Sequence, residues 1–294
     1  MCKLKNILVF SLALCFQLNA QKFELIAPET SGVHFANILE ETPKNNIVTY
    51  EYFYNGGGVA AGDLNNDGFT DLIFSSNQNQ TRVYLNNGGL EFDDITSQTG
   101  ITNQAGWKTG ITLADVNNDG WLDIYIAHSG NFTKNNRRNK LYINQKNLTF
   151  KEQAKKYGID DFGYTSQSAF FDYDKDGDLD LFVLNHNTKL FRNFDAAYAK
   201  TQLDDDAGDR LYENIGSKFI DVTLKAGILS NPIGYGLGLV VTDTNNDGWP
   251  DLYVSNDYVE EDYLYINNQD GTFTNRLKEQ MSCISNFSMG VDAG

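Results

Sequence analysis

The sequence predicts an all-β fold: a β-propeller of four-stranded blades, of which this chain is a truncated part. Three observations predict it. A nine-residue loop of Asp, Asn and Gly recurs four times, apolar residues alternate after each copy, and a Tyr-x-Asn motif and a Phe-led segment follow. Each unit thus holds about four short antiparallel strands and repeats after about fifty to seventy residues, which is the pattern of propeller blades. We expect about seven blades in the whole protein.

The N-terminus has the pattern of a secretory signal peptide. Two lysines precede an uncharged, mostly apolar run over residues 7–18, and the small residue Ala20 ends the segment. We therefore predict that residues 1–20 are a signal peptide and that the protein is exported, extracellular or associated with a bacterial cell surface. The apolar run is too short for a transmembrane anchor. A lipoprotein attached through Cys15 remains an alternative.

Residues 21–294 are assigned to a partial propeller of four complete blades and the start of a fifth. Residues 21–33 resemble the last strand of a blade, although no other strand precedes them. We predict that they supply the outermost strand of the last blade and so close the ring. Residues 289–294 match the approach to the first loop, residues 57–62, and so begin the fifth blade.

Within each unit the elements follow one order. The Asp loop joins the first two strands in a hairpin, the third strand carries the Tyr-x-Asn motif, and a Phe begins the fourth. The third-strand motifs are Val83–Asn86, Leu141–Asn144, Leu211–Asn214 and Leu264–Asn267, and the fourth strands begin at Phe92, Phe150, Phe219 and Phe273.

The Asp loops have the spacing of a calcium site. Positions 1, 3, 5 and 9 carry side-chain oxygens, position 7 offers a backbone carbonyl, and Gly at position 6 allows a sharp turn. Ca²⁺ accepts six to eight such oxygens at flexible angles. An EF-hand is excluded because position 12 is a strand residue instead of Glu. The predicted ligands are Asp63, Asn65, Asp67, Phe69 and Asp71; Asp115, Asn117, Asp119, Trp121 and Asp123; Asp172, Asp174, Asp176, Asp178 and Asp180; and Asp243, Asn245, Asp247, Trp249 and Asp251.

Turn chemistry alone also favours Asp, Asn and Gly. Four copies with Gly at position 6 and Asp at position 9 favour metal, about four Ca²⁺ ions in this segment. Because the third loop is the most acidic and its carboxylates repel one another without metal, we expect folding to be coupled to calcium binding.

The overall charge limits the class of partner. The chain has 39 acidic and 23 basic residues, a formal net charge of −16, which disfavours binding to nucleic acid. Cys283 is the only cysteine outside the predicted signal peptide, so the sequence predicts neither an intrachain disulfide nor a cysteine-based zinc site.

The loop and its flanking strands resemble the FG-GAP/VCBS repeat of integrin α-subunit propellers. The whole unit, as in residues 211–228, resembles the bacterial branch related to cartilage acidic protein, whose members usually end in an ASPIC/UnbV module that this sequence lacks. The resemblance extends over residues 23–294. It implies a seven-bladed calcium-binding propeller with adhesion or recognition roles.

A protein or glycan partner is expected on the face opposite the calcium loops, where the variable loops lie on a rigid frame. An outer-membrane uptake complex is one candidate partner. Aromatic residues recur eight positions before the first Asp of a loop and are predicted to line the rim of the central channel, unless they pack neighbouring blades together. The candidate ligand-binding residues are Trp107, Tyr164, Tyr235, His128 and His186.

Two variable loops carry opposite charges. The second is basic through residues 134–140, and the third is acidic through residues 204–209. They are either solvated or paired with each other or with a partner subunit.

We expect no enzymatic activity. The sequence shows no Ser-His-Asp elbow, zinc signature or phosphate-binding loop. The alternative is a calcium-assisted polysaccharide lyase or other glycan-active enzyme, for which His186 and Tyr164 would be the residues to suspect.

Overall fold

The computed structural model describes residues 23–101, 105–189, 195–216, 218–258 and 260–293. The predicted signal peptide and residues 21–22 lie outside this range. In the described part of the chain, no helix is long and apolar enough to span a membrane.

The described residues form four antiparallel sheets, each of four strands connected in sequence order. Sheet 1 comprises β1 Val59–Gly62, β2 Asp71–Phe74, β3 Arg82–Asn86 and β4 Phe92–Asp94. Sheet 2 comprises β5 Trp107–Ala114, β6 Asp123–Ser129, β7 Lys140–Asn144 and β8 Phe150–Glu152. Sheet 3 comprises β9 Thr165–Phe171, β10 Asp180–Asn185, β11 Arg210–Asn214 and β12 Phe219–Asp221. Sheet 4 comprises β13 Gly236–Thr242, β14 Asp251–Asn256, β15 Tyr263–Asn267 and β16 Phe273–Asn275.

The predicted units of four strands are therefore confirmed. Each Asp loop joins the first two strands of its sheet, and the Asp at position 9 begins the second strand, as in the pair Gly62 and Asp71. We call this end of the sheets the Asp-loop end. By the antiparallel connectivity, the loops between second and third strands lie at the opposite end.

The sheets stand side by side with their first strands adjacent: β5 lies beside β1 and β9, and β9 lies beside β13. The hydrophobic cores lie between consecutive sheets, which explains why the second strands of the two middle sheets, β6 and β10, are buried at every residue. Ile73 packs in one core with Ile124, Tyr125 with Leu181, and Phe182 with Leu252. This stacking requires near-continuous apolar strands instead of a polar face.

One short helical segment precedes sheet 1, and the others follow fourth strands or connect strands. They are α1 Pro28–Ser31, a 3₁₀ turn Thr96–Gln98, a second 3₁₀ turn Lys134–Arg137, α2 Ala154–Tyr157, α3 Ala196–Lys200 and α4 Leu277–Gln280. Residues 23–33 thus contain α1 and no strand, and they pair with none of the four sheets. Their predicted role as a ring-closing strand stays a prediction.

A glycine links each unit to the next. Gly32, with a φ of 77°, sits so close to the carbonyl of Phe92 that a Cβ would lie 2.2 Å from its oxygen. Gly227 makes the same approach to Phe273, at 2.6 Å. Only glycine adopts this left-handed backbone without cost and leaves room for the carbonyl. Residues 23–33 therefore pack on sheet 1 as the end of each unit packs on the next sheet.

Residues 35–56, which we call the cap segment, cross the end of the sheets opposite the Asp loops. At one side, the ring of Phe35 stacks on Phe74 of sheet 1 with centroids 4.9 Å apart. At the other side lies Tyr258, which follows β14. Its hydroxyl donates a hydrogen bond of 3.0 Å to the carboxylate of Glu51. The sequence analysis did not anticipate this crossing.

Candidate functional site

The Asp at position 9 of every loop is buried and bridges two backbone amides. Asp71 accepts from the amide of Asn86 through Oδ1 and from the amide of Leu64 through Oδ2, each over 2.8 Å. The same bridge forms in the other sheets, from Asp123 to Asn144 and Val116, from Asp180 to Asn214 and Tyr173, and from Asp251 to Asn267 and Thr244. The third-strand asparagine is thus the residue that positions the loop carboxylate. The Tyr-x-Asn motif signalled it, although the sequence analysis gave it no role.

The carboxylate of the Asp at position 1 accepts hydrogen bonds from backbone amides later in the same loop, and these bonds hold the loop in a tight turn. In the first loop, Asp63 accepts from the amide of Asp67 over 3.2 Å and from that of Gly68 over 2.7 Å. This turn requires left-handed backbone at positions 4 and 6, with φ of 58° at Asn66 and 89° at Gly68. Glycine at position 6 and asparagine at position 4 tolerate this conformation better than other residues. Lys175, at position 4 of the third loop, has the same left-handed backbone, with φ of 59°.

The third loop concentrates negative charge. Carboxylate oxygens of Asp172, Asp174 and Asp176 all lie within 4.8 Å of one another. Burial, followed by repulsion from Asp176, raises the pKa of Asp174. Burial and the same neighbouring carboxylates raise the pKa of Asp178 to about 6. A cation held between these groups would remove the repulsion.

Buried oxygens without partners show that these loops fit a hard cation. Asn117 Oδ1, Asp172 Oδ1 and Asp178 Oδ1 are buried and find no hydrogen-bond partner among the described residues. A buried polar atom left unpaired costs free energy, and an oxygen-preferring ion would offset that cost. Two of the three, Asn117 Oδ1 and Asp172 Oδ1, belong to predicted ligand side chains.

The first and fourth loops would need a small rearrangement to hold an ion. There the side-chain nitrogen of Asn65 lies 2.8 Å from Asp67 Oδ2, and that of Asn245 lies 3.0 Å from Asp247 Oδ2. Rotation of each amide group would turn its oxygen toward the carboxylates.

A cavity of about 410 Å³ lies where the first strands of the four sheets converge, at the end opposite the Asp loops. We call it the axial cavity. The cap segment covers part of it through Tyr50, Tyr52 and Asn55. The first strands and the residues just before them line the rest, namely Gly57, Gly58, Trp107, Thr109, Gly110, Ser166, Gln167 and Leu237, joined by His186 and Met289.

The aromatic residues that recur eight positions before a loop differ in their surroundings. Trp107 is 2% exposed, lines the axial cavity and packs on Tyr50 and Phe53 of the cap segment. Tyr235 is buried in the same cluster, which supports the packing interpretation for both. Tyr164 instead lies under the Arg137 guanidinium, 3.8 Å from the ring centroid.

The two histidines have different surroundings. His128 is buried within sheet 2, with Nδ1 3.1 Å from the carbonyl of Ile126, and it does not line the axial cavity. His186 lines the cavity, and its Nε2 lies 2.8 Å from Ser129 Oγ. Burial lowers the pKa of each to about 3, so both rings are neutral at physiological pH.

The basic and acidic variable loops pair with each other, as one of the predicted alternatives had it. Asp206 accepts from Arg137 over 2.7 Å and lies 3.4 Å from Lys134 Nζ. Arg138 pairs separately with Asp160 over 2.7 Å. These contacts fix the loops at the opposite end of the sheets.

Comparisons with known proteins agree with the repeat pattern. A family model described as "FG-GAP-like repeat" matches residues 63–126, 128–183 and 243–294, more than half of the chain. Cartilage acidic protein 1 of Xenopus tropicalis is 27% identical over 212 residues, which cover 69% of this chain and 29% of that protein. The protein of the same name from Homo sapiens is 28% identical over 207 residues, covering 69% and 28%.

The chain therefore spans less than a third of the length of these curated relatives. Among solved structures, the Vibrio cholerae biofilm matrix protein Bap1 is similar at 16% identity with a TM-score of 0.38, covering 75% of this chain and 28% of that one.

Proposed function

Because the chain belongs to the family of proteins with FG-GAP-like repeats, we propose that it is part of an exported, calcium-binding β-propeller that acts as a recognition, adhesion or scaffold module. The observation that carries this proposal is the third loop. Three of its predicted ligand carboxylates lie within 4.8 Å of one another, and a buried oxygen of Asp172 has no partner among the described residues.

The residues that would hold each ion are those at loop positions 1, 3, 5 and 9, with the carbonyl of position 7. Calcium would supply positive charge that neutralises the clustered carboxylates and stiffens the Asp-loop end. The chain's own contribution is the position-9 bridge, since Asp123 and its counterparts hold the loop against the third strand.

The propeller itself is supported by the side-by-side sheets with adjacent first strands. About seven such blades would close a ring around those strands. Export is supported by the pattern of residues 1–20. A protein or glycan partner, and in a bacterial envelope an uptake complex, would bind at the end opposite the Asp loops, where paired variable loops and a cavity lie.

We propose no catalytic role for the chain. The ring of His186 does lie against that of Tyr164, with centroids 6.1 Å apart. However, His186 is enclosed by Ser129 and by Tyr50, whose hydroxyl is 3.4 Å from Nε2. A general base in a lyase must reach the proton that it removes, and this ring is 1% exposed.

The test is a calcium titration of chelator-treated protein, with melting temperature and bound metal measured in the same samples. We expect about four ions to bind and the melting temperature to rise by several degrees, because only the folded state assembles the sites. Magnesium serves as the control, since it prefers a tighter octahedral shell, and we expect a much smaller rise. Absence of calcium binding would leave the loops as turns and refute the proposal.

A further inference from the structure

Residues at position 4 of two Asp loops contact the next loop along the chain. The side-chain amide of Asn66, in the first loop, donates a hydrogen bond of 2.9 Å to the carbonyl of Gly120, at position 6 of the second loop. Lys175, in the third loop, places its ammonium group 4.9 Å from the ring centroid of Trp249, at position 7 of the fourth loop. Within the described ranges, Asn118 makes no such contact from the second loop to the third.

Asn144 joins the first loop to the second by a separate route. Its side-chain amide donates to the carbonyl of Leu64, at position 2 of the first loop, over 2.9 Å, and to that of Leu122, at position 8 of the second, over 3.1 Å. Its backbone amide donates to Asp123, a predicted ligand of the second loop, over 2.8 Å. One residue therefore fixes the backbone of the first loop and a carboxylate of the second.

Asn267 repeats this arrangement between the third and fourth loops, whereas Asn214 does not repeat it between the second and third. The side-chain amide of Asn267 donates to the carbonyls of Tyr173 and Pro250, over 2.7 and 3.2 Å. That of Asn214 donates to the carbonyl of Leu179 in the third loop, over 3.1 Å. In the part of the chain that the structure describes, no hydrogen bond or ion pair joins the second loop to the third. The four loops thus form two bonded pairs, the first with the second and the third with the fourth.

Each loop has to be ordered before its oxygens can surround an ion. In the first loop the side-chain nitrogen of Asn65, instead of its oxygen, faces Asp67, so this loop rearranges as it binds. The bond from Asn66 and the bonds of Asn144 pass this ordering to the second loop, because they hold the backbone of both loops. A neighbouring loop that is already ordered binds its ion at a lower entropic cost, which is positive cooperativity.

Direct electrostatic interaction between the ions has the opposite effect. Two cations in neighbouring loops repel each other, so an ion in one loop weakens binding in the next. This repulsion acts between the second and third loops as well as within the pairs, since their sheets also stand side by side. The direction of the coupling and its restriction to bonded loops therefore distinguish ordering from charge.

We propose that these bonds make calcium binding positively cooperative within each bonded pair of loops, with Asn66, Asn144, Lys175 and Asn267 as positioning residues. The inference rests on the proposed calcium-binding function and adds how its sites are regulated. Occupation of the first loop raises the affinity of the second, and occupation of the third raises that of the fourth. The second and third loops gain nothing from each other.

The experiment is a titration of chelator-treated protein with Tb³⁺, a hard cation that occupies calcium sites and emits when a nearby tryptophan transfers excitation to it. Trp121 and Trp249 stand at position 7 of the second and fourth loops, and the third tryptophan, Trp107, lies at the opposite end of the sheets. Trp249→Phe therefore leaves Trp121 as the reporter of the second loop. Trp121→Phe leaves Trp249 as the reporter of the fourth.

Two variants each remove the ligand at position 5 of one loop. Asp67→Ala, in the first loop, should weaken Tb³⁺ binding to the second loop by at least about fivefold and leave the fourth loop unchanged. Asp176→Ala, in the third loop, should weaken the fourth loop by a similar factor and leave the second unchanged, although the third loop's sheet adjoins both.

Asn66→Gly removes the bond to Gly120 while every predicted ligand stays, and glycine keeps the left-handed backbone. It should weaken the second loop severalfold and not the fourth. Asn246→Gly is the matched control, because Asn246 has the same φ of 58° at position 4 of the fourth loop, and it should not change the second loop.

Three results would overturn the inference. They are a second-loop affinity that is unchanged in both Asp67→Ala and Asn66→Gly, one that rises in Asp67→Ala, and one that falls equally in Asp176→Ala or Asn246→Gly. If Tb³⁺ still fills both reporter loops in these cases, the inference fails and the proposed function survives. If neither loop binds the ion in the parent protein, both fail.

Discussion

The side-chain amide of Asn144 donates a hydrogen bond of 2.9 Å to the carbonyl of Leu64, and so ties sheet 2 to sheet 1. Asn267 makes the equivalent bond to the carbonyl of Tyr173, over 2.7 Å, between sheets 4 and 3. The backbone amides of both asparagines also hold the position-9 Asp of their own sheets. One residue type therefore anchors the Asp loop and joins neighbouring sheets.

We predict that Asn144→Ala lowers the free energy of unfolding by about 1–3 kcal/mol, because buried carbonyls lose their donor. Asn86→Ala should cost less, since its side-chain amide donates to the carbonyl of Thr70 in its own unit instead of to a neighbouring sheet. Urea denaturation of both variants measures the difference. Equal losses would show that the bond between sheets contributes nothing measurable.

Two substitutions in the third loop separate the roles of its carboxylates. Asp176→Asn removes charge from a side-chain ligand, so calcium affinity should fall by about tenfold. Asp178→Asn should change the affinity by less than about threefold, because position 7 is predicted to bind through its backbone carbonyl. Competition with a calibrated calcium chelator measures both affinities.

Asp178→Asn should also change the stability of the calcium-free protein. Burial raises the pKa of Asp178 to about 6, and its neighbours add repulsion. Asp178→Asn should therefore raise the melting temperature of the calcium-free protein. A large loss of affinity in this variant would instead place its carboxylate among the ligands.

Asp209 should make stability fall as the pH rises. Burial raises its pKa to about 8 in the folded protein, whereas an unfolded Asp titrates near 3.9. Between these values the folded state binds a proton that the unfolded state has lost, so acidification favours folding. The contribution is complete below about pH 4 and is lost as the pH rises through about 8.

The matched variant is Asp209→Asn. In the wild type the backbone amide of Asn185 donates to Asp209 Oδ1 over 2.9 Å, and the side-chain oxygen of Asn can accept the same bond. From pH 5 to 9, the calcium-saturated wild type should lose more than about 1 kcal/mol of stability relative to this variant. Urea denaturation across that range checks it, and parallel pH profiles would contradict it.

Trp107→Ala should destabilise the protein by about 3–5 kcal/mol, because a large buried ring is lost. Its ring meets Phe53 and Tyr50 with centroids 4.8 and 5.7 Å away. Tyr198→Ala is the control, since Tyr198 is a large aromatic residue that is 65% exposed, and it should have little effect. Thermal unfolding measures both. An unchanged melting temperature in Trp107→Ala would count against the packing role.

Sequence alone determined the repeated unit because its signals are local. The alternation after Asp71, the turn residues of the loop and the Phe at position 92 each act within a few residues, and all four units show them. The resulting four-stranded sheets are confirmed. The candidate ligands of each loop could also be identified from the sequence, because the turn that brings their oxygens together is determined by the nine residues of the loop itself.

The tertiary structure decided what depends on contacts between units. The cap segment brings Glu51 to Tyr258, and Asn144 reaches Leu64, across separations in sequence that no periodicity reports. The surroundings of the recurring aromatic residues could not be predicted for the same reason: Trp107 and Tyr164 occupy equivalent positions, yet Trp107 is buried against the cap segment and Tyr164 lies under the Arg137 guanidinium. Burial depends on which segment covers a side chain, and that is settled only when distant parts of the chain pack together.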